Sequence, residues 1–488
     1  MALAVASSDA SSGPVASFFR SFSDLRHCPR GLWFVIFAFA VEAIGYFGML
    51  TLMSIFLTED LGWSDVQASI TISTFTMLVT FLMLGLGSYA EKFGLRRAIG
   101  FALLTSTIAR VLYTSSGDLL GGAPLAVLVL VSLLLVAIGS AILQPVCYSG
   151  VKQYTDKKTN SIAYGLLYGF MNLGIVIAGG FSAWVRPGVD RLLGPESADS
   201  PAGALDSLLA PLTAISSSGV QAMNWVATAV TGVAFLGFFL MMTPKAEANK
   251  LRPDTAEQDR DSDERSVPEK VRAYFTDGPF SNGRFVFFIF MLLPVRTLFA
   301  HQWLTMPLYI TRAYPDGVAD HMEWLVNWIN PLIIFLFVPV LTALTRKVNV
   351  YTLMMVGSLI SALPTFLLAF GPNLYLLIAY FVIFSLGEAL WSARFLEYAS
   401  ELAPDGQIAQ YMGLANIPWL AAKFITGLYA GAMLAKFCPP DTPPEELSTG
   451  TMWLIYAFIA MSSPIGLWLA RNWVREGLNP SEPAGAEA

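Results

Sequence analysis

The chain has 488 residues, of which 55% are hydrophobic and only 13% charged, and its mean hydropathy is +0.58. A water-soluble chain carries about 25% charged residues, so lipid is expected to replace water around most of this one. The net charge of −6, with no basic block, argues against a nucleic-acid partner, and Cys28, Cys147 and Cys438 stand too far apart for a CxxC pair or a disulfide framework.

Residues 1–30 are rich in Ser and Ala and lack a charged start followed by an apolar core. They do not read as a cleaved signal peptide, and the first long apolar run is expected to serve as an uncleaved insertion signal. Twelve runs follow, at 31–57, 66–89, 98–116, 123–150, 160–186, 219–243, 283–312, 322–345, 349–371, 374–400, 407–436 and 450–472. Each is long enough to cross about 30 Å of hydrocarbon. The predicted fold class is an all-α integral membrane protein with two six-helix bundles, 31–243 and 283–472. A charged cytoplasmic linker, 244–282, joins them, and 1–30 and 473–488 form cytoplasmic ends.

Basic residues test the count independently. Arg20, Arg26, Arg30, then Lys92, Arg96 and Arg97, then Lys157 and Lys158, then seven Lys and Arg of the linker, then Arg346 and Lys347, then Arg471 and Arg475 fall on alternate connections. The intervening ones carry few, chiefly Arg191, Arg312 and Lys436. That alternation puts both termini in the cytoplasm of a cell-membrane protein. A six-plus-six layout suggests two bundles that rock around a central site. The outer stretch 187–218 carries no assignable motif.

Ionisable groups at membrane depth are costly and mark candidate sites. Glu42 lies midway along helix 1, with Tyr46 on the same face one turn later. Arg296 lies mid-helix 7, Glu388 in helix 10 with Trp391 and Ser392 a turn on, and Lys423 in helix 11 on one face with Asn416 and Trp419. Tyr164, Tyr168 and Asn172 form a stripe on helix 5, and Gln144 and Tyr148 a shorter one on helix 4. These stripes fit either helix packing or ligand contact. Glu42 reads as a proton-coupling acid or as a structural acid paired with Arg296 or Lys423. His301 reads as a proton carrier or a rim residue, and Arg110 as a structural ion-pair member. Arg394 and Glu397 read as a local pair or a cytoplasmic gate. Pro294, Pro331, Pro339 and Pro418 are expected to bend their helices. No P-loop, GxSxG or HExxH is present, and His27, His301 and His321 are too scattered for a metal cluster. The chain is therefore not expected to be an enzyme or to need a cofactor or metal.

Two resemblances sharpen this. The connection between helices 2 and 3, with Gly87, Glu91, Gly94, Arg96 and Arg97, resembles the major facilitator superfamily loop G-x-x-x-D-R/K-x-G-R-R/K. The resemblance implies that Glu91, Arg96 and Arg97 latch the bundles on the cytoplasmic side. It also implies that helices 1, 4, 7 and 10, with 2, 5, 8 and 11, line the cavity. Further stretches are similar to the proton-coupled oligopeptide transporters: Glu42 to Met49 in helix 1, Asn172 and Gly174 in helix 5, Phe299 to Gln302 in helix 7, Asn327, Asn330 and Pro331 in helix 8, and Gly387 with Glu388 in helix 10. Phe39, Ala43 and Gln144 stand where that family has a Glu, an Arg and a Lys, so most of its charge cluster is missing. A remote relative with altered substrate or coupling is expected.

Two acids and two bases among aromatics in one cavity suit a small zwitterionic or anionic solute, and the resemblance implies that peptide-like solutes are included; a transporter acting as a monomer in the bilayer, with the proton as coupling ion, is expected. Glu42 and Glu388 would couple protons. Tyr46, Gln144, Tyr148, Tyr168, Asn172, Arg296, Gln302, Asn327, Asn330, Trp391, Trp419 and Lys423 would bind substrate, and Glu91, Arg96, Arg97, Arg394 and Glu397 would gate. An exporter of amphiphilic or drug-like compounds is the alternative.

Overall fold

The computed structural model describes residues 25–156, 159–194, 204–251, 279–345, 348–401 and 408–476. Twelve long helical spans run through them, and these residues contain no strand. The first bundle holds α1 (Arg30–Ile55, prolonged by a π turn Phe56–Asp60), α2 (Asp65–Ala90), α3 (Leu95–Thr114), α4 (Gly122–Tyr154), α5 (Asn160–Leu193) and α6 (Gly219–Met241). In the second, α7 comes in three pieces, Gly283–Met291, Leu293–Leu304 and Met306–Ala313. Then follow α8 (a π turn Trp324–Ile329, then Asn330–Leu344), α9 (Val350–Ala362, tightening to a 3-10 run Leu363–Phe370), α10 (Leu374–Glu401), α11 (Ile408–Phe437) and α12 (Thr449–Leu469).

Proline explains most of the breaks. Pro294, Pro307, Pro331 and Pro364 sit in the first turn of the piece each opens, where a missing N–H costs nothing. Pro418 instead lies inside the continuous α11. Eleven of the spans are long and apolar enough to cross a membrane. The exception is α3, whose apolar run is diluted by Arg96, Arg97 and Arg110. It packs between α4 and α6, so tertiary contacts rather than hydropathy hold it in place. Phe81, Val127, Leu240 and Leu344 point outward and exposed, which suits a surface bathed in hydrocarbon.

The bundles meet along α2–α11 and α5–α8, with α1 against α7. The first two contacts exchange under a pseudo-two-fold that maps α2 on α8 and α5 on α11. Small residues allow the approach: a Cβ at Gly427 or Gly431 of α11 would overlap Ser73 or Asp65 of α2. The two faces of the molecule differ in charge. One, where α1 begins, carries Lys92, Arg96, Arg97, Lys152, Lys245 and Lys250; the other carries Glu59, Asp60, Asp118, Asp316, Asp320 and Asp441. They are called here the basic and the acidic face.

On the acidic face, the start of α6 gathers the first bundle. Asp190 accepts the Gly219 N–H at 2.6 Å, Ser218 donates to Asp60 at 2.6 Å, and Gln221 donates to Asp118 at 2.6 Å. Carboxylates suit the positive end of a helix dipole. The connection before it holds a short helix, Ala204–Thr213, tied down by an Arg191–Asp206 ion pair and by Trp225 Nε1 on Ile215 O. On the basic face, the start of the linker docks on the first bundle, where Tyr154 donates to Glu247 O at 3.1 Å. Residues 252–278 of that linker lie outside the described residues.

Candidate functional site

Arg296 carries the site. The break before Leu293 leaves the Val295 N–H at the start of a helical piece, and Ser463 of α12 accepts it at 2.9 Å. Arg296 follows directly and turns its guanidinium into a ring of aromatics on α10 and α11. Phe395 lies 4.1 Å from it, Trp391 5.7 Å and Trp419 5.9 Å. Phe299, a turn further along α7, packs on both Trp391 and Trp419, which fixes their faces. Arg296 is 5% exposed; its Nε has no hydrogen-bond partner, and no described carboxylate pairs with it.

Two further charges lie on the same bundle. Glu388 accepts a hydrogen bond from Asn330 Nδ2 at 2.6 Å, and Asn330 also bonds Ser385 at 3.0 Å. Tyr168 of α5, across the interface, lies within electrostatic reach of Glu388. Lys423 donates to Thr80 of α2 at 3.1 Å and lies 5.3 Å from the Trp419 ring. Its bond therefore crosses between the bundles. Gln302 reaches Tyr380 at 3.4 Å and keeps its Oε1 unpartnered. The structure thus brings Arg296, Trp391, Trp419 and Lys423 into one neighbourhood, and Asn330 onto Glu388. Thr80, Ser385 and Phe395 were not singled out from sequence, because none is ionisable or part of a recognisable spacing.

The first bundle contributes differently from expectation. Glu42 pairs with neither Arg296 nor Lys423. Both its oxygens are held by Arg110 of α3, at 2.7 and 3.0 Å, and Arg110 also bonds Thr231 of α6. The two side chains are 5% and 1% exposed. Gly45 makes the room: a Cβ there would stand 2.6 Å from the guanidinium. Tyr46 packs on Phe75 and lies near this pair. Arg110 is thus the structural ion-pair member expected of it, but nothing in the spacing of α1 and α3 revealed that their polar faces meet. The rest of the wall is aromatic. Tyr148 stacks on Tyr164 at 5.8 Å, and Tyr164 donates to the Tyr148 carbonyl at 3.0 Å, while Asn172 is turned back to the Tyr168 carbonyl at 3.0 Å.

The sequence of this chain matches the Major Facilitator Superfamily over residues 35–186 and 200–427. The chain belongs to that superfamily. A stretch of 167 residues is 29% identical to "Peptide transporter family 1" of Drosophila melanogaster; it covers 33% of this chain and spans 22% of that relative's length. Among solved structures, the fold resembles a POT family transporter in complex with 5-aminolevulinic acid (TM-score 0.64, 16% identity, 91% of this chain and 97% of that one). It is similar also to a POT family transporter with a thioalcohol conjugated peptide (0.65, 15%, 91% and 97%). A nucleoside transporter, NupG, shares the fold (0.65, 13%, 90% and 99%). At these identities the likeness speaks for the fold. This chain is a multi-pass membrane transporter of the superfamily and a remote relative of its peptide-transporting branch.

The acidic face is closed across the bundles by two buried ion pairs. Arg186 of α5 binds Glu323 at 2.8 Å, with Ser182 donating to the same carboxylate at 2.9 Å. Arg312, at the end of α7, holds Asp65 of α2 at 2.7 and 2.8 Å and the Cys438 carbonyl at 3.0 Å. Asn327, expected at the substrate, instead donates to Thr51 of α1 at 2.9 Å in this closed seam. His301 is no rim residue: it is fully buried, stacked on Tyr456 at 4.0 Å and bonded to Thr305 and Tyr429. With the acidic face closed, Arg96 of the superfamily loop bonds the Met242 carbonyl at 2.6 Å and stacks on Phe239, all within the first bundle. Arg97 is exposed, and the side chains of Glu91, Arg394 and Glu397 lie outside the described residues.

Proposed function

We propose that this protein is a secondary active transporter that carries a small zwitterionic or anionic organic solute across the cell membrane. It works by alternating access with the proton as coupling ion, and acts as a monomer with both termini cytoplasmic. The observation that carries the proposal is the set of charges within the spans that have no counter-ion among the described residues, Arg296, Lys423 and Glu388. A buried charge in a membrane protein costs several kcal/mol, and a fold that keeps three of them in one bundle, one bonded across to the other, uses them on something that arrives and leaves. An anionic group on the solute replaces the missing partner of Arg296 between the aromatic faces.

The cycle follows from the crossing bonds. With the acidic face latched, solute and proton exchange at the basic face. The Lys423–Thr80 bond spans the bundles, so an anion that draws the ammonium away loosens that contact. Glu388 is the acid available to a coupling proton, because Glu42 is committed to Arg110. Binding shifts the balance between the two arrangements by its differential affinity for them. In proteoliposomes, Glu388→Gln is expected to lower acid-driven uptake at least tenfold while leaving counterflow exchange of labelled solute within about twofold. Acid-driven uptake that survives in this variant removes Glu388 from the coupling.

A further inference from the structure

The charges at mid-depth also bear on the net charge of the solute. Glu42 and Arg110 neutralise one another, as do Arg186 with Glu323 and Arg312 with Asp65. What is left among the described side chains within the spans of the second bundle is two cations, Arg296 and Lys423, and one acid, Glu388, and Lys423 reaches across to the first bundle. The cations flank one indole. Arg296 lies 5.9 Å and Lys423 5.3 Å from the Trp419 ring, so they are no further apart than those two distances together. The acid sits elsewhere in the site, on Asn330. Arg296 offers a buried, unpartnered Nε, and planar guanidinium edges suit the two oxygens of a carboxylate. Phe395 stands 4.1 Å and Trp391 5.7 Å from its guanidinium carbon, so the aromatic rings leave the charge without a polar partner.

We infer that the solute carries a net negative charge, with an oxyanion on Arg296 beside Trp419, and is not an amine-bearing zwitterion of net charge zero. This deepens the transport reading above and rests on it. Among the described side chains, the site has one surplus positive charge with Glu388 ionised and two with Glu388 protonated. A net-neutral solute leaves that surplus buried, where low polarity makes it most costly. A monoanion balances the first state and a dianion the second. An amine has a single acid to meet, and that acid is already bonded to Asn330. The neighbouring aromatic faces suit an apolar or planar body on the solute.

The inference is tested on the purified full chain by thermal melting with four ligands of similar size: dialanine, N-acetyl-dialanine, dialaninamide and glutarate. N-acetyl-dialanine and glutarate are expected to raise the melting temperature, dialanine to need at least tenfold higher concentration for the same shift, and dialaninamide to do nothing. Dialanine acting as well as its acetylated form overturns the inference and leaves the transport reading standing. Silence from all four in melting, together with no uptake of any of them into proteoliposomes, overturns both.

Variants supply a second readout. Arg296→Gln and Lys423→Gln each remove an unbalanced buried charge, so the unliganded protein is expected to melt at the same or a higher temperature. The shift produced by N-acetyl-dialanine is expected to weaken at least tenfold, and Arg296→Lys to restore part of it. A lower unliganded melting temperature in both Gln variants, with ligand response intact, marks the cations as structural and overturns the inference.

Discussion

Glu42→Gln is expected to destabilise the protein by about 3–5 kcal/mol, the usual cost of removing one partner from a buried ion pair. The loss comes from what stays behind. Arg110 is 1% exposed, and both oxygens of Glu42 are its partners; glutamine offers it one neutral acceptor in place of a carboxylate. Thr231 remains as a second acceptor, but a hydroxyl does not balance a guanidinium. Arg110→Met should cost a similar amount by stranding the carboxylate. The double variant Glu42→Gln with Arg110→Met should recover most of the loss, because no charge is then left unpaired. Thermal unfolding of the four forms in one detergent gives the coupling energy. A value of about 0.5 kcal/mol or less means independent sites and contradicts the geometry. Loss of transport in Glu42→Gln alone is therefore no evidence for a coupling role: the double variant is the informative one.

The second large effect concerns the acidic face. Arg186–Glu323 and Arg312–Asp65 cross between the bundles, and both are buried. In an arrangement open on this face, water reaches all four groups, so the pairs stabilise the closed arrangement selectively. Replacing both acids, Asp65→Asn with Glu323→Gln, should remove a few kcal/mol from the closed state alone. Each 1.4 kcal/mol is about tenfold in population, so a minor open form becomes readily visible. Spin labels at Leu119 and Asp316, both exposed on the acidic face of opposite bundles, report it. Wild type should give a dominant short separation, and the double variant a second, longer population. An unchanged distribution means that the pairs do not govern closure.

Much of the fold was legible because a membrane imposes a length. Twenty-odd apolar residues make a span, and alternating basic connections count the spans even where hydropathy weakens, as at α3. The charges within the spans were legible too, since a charged residue stands out in an apolar run. Their partners were not. Azimuth decides them: Glu42 faces α3 and α6 because Gly45 lets those helices close in, and that is a tertiary property. Arg186 and Glu323 lay at the ends of spans, where a charge is unremarkable, so the pair was invisible. Asn327 and Asn330 are one turn apart on a single run, yet the π turn Trp324–Ile329 accompanies a split in which one goes to the seam and the other to Glu388. His301 shows the same limit: its ionisable ring is used for packing among α7, α11 and α12.

Transport itself is most directly tested by proton entry that depends on solute. Proteoliposomes containing the full chain and a pH-sensitive dye are given an external acid step with and without an anionic or zwitterionic solute. A saturable, solute-dependent acidification of the lumen is expected, reduced at least tenfold in Glu388→Gln. Acidification that is the same with and without every such solute, or the same in Glu388→Gln as in wild type, would contradict a proton-coupled carrier built around Arg296, Lys423 and Glu388.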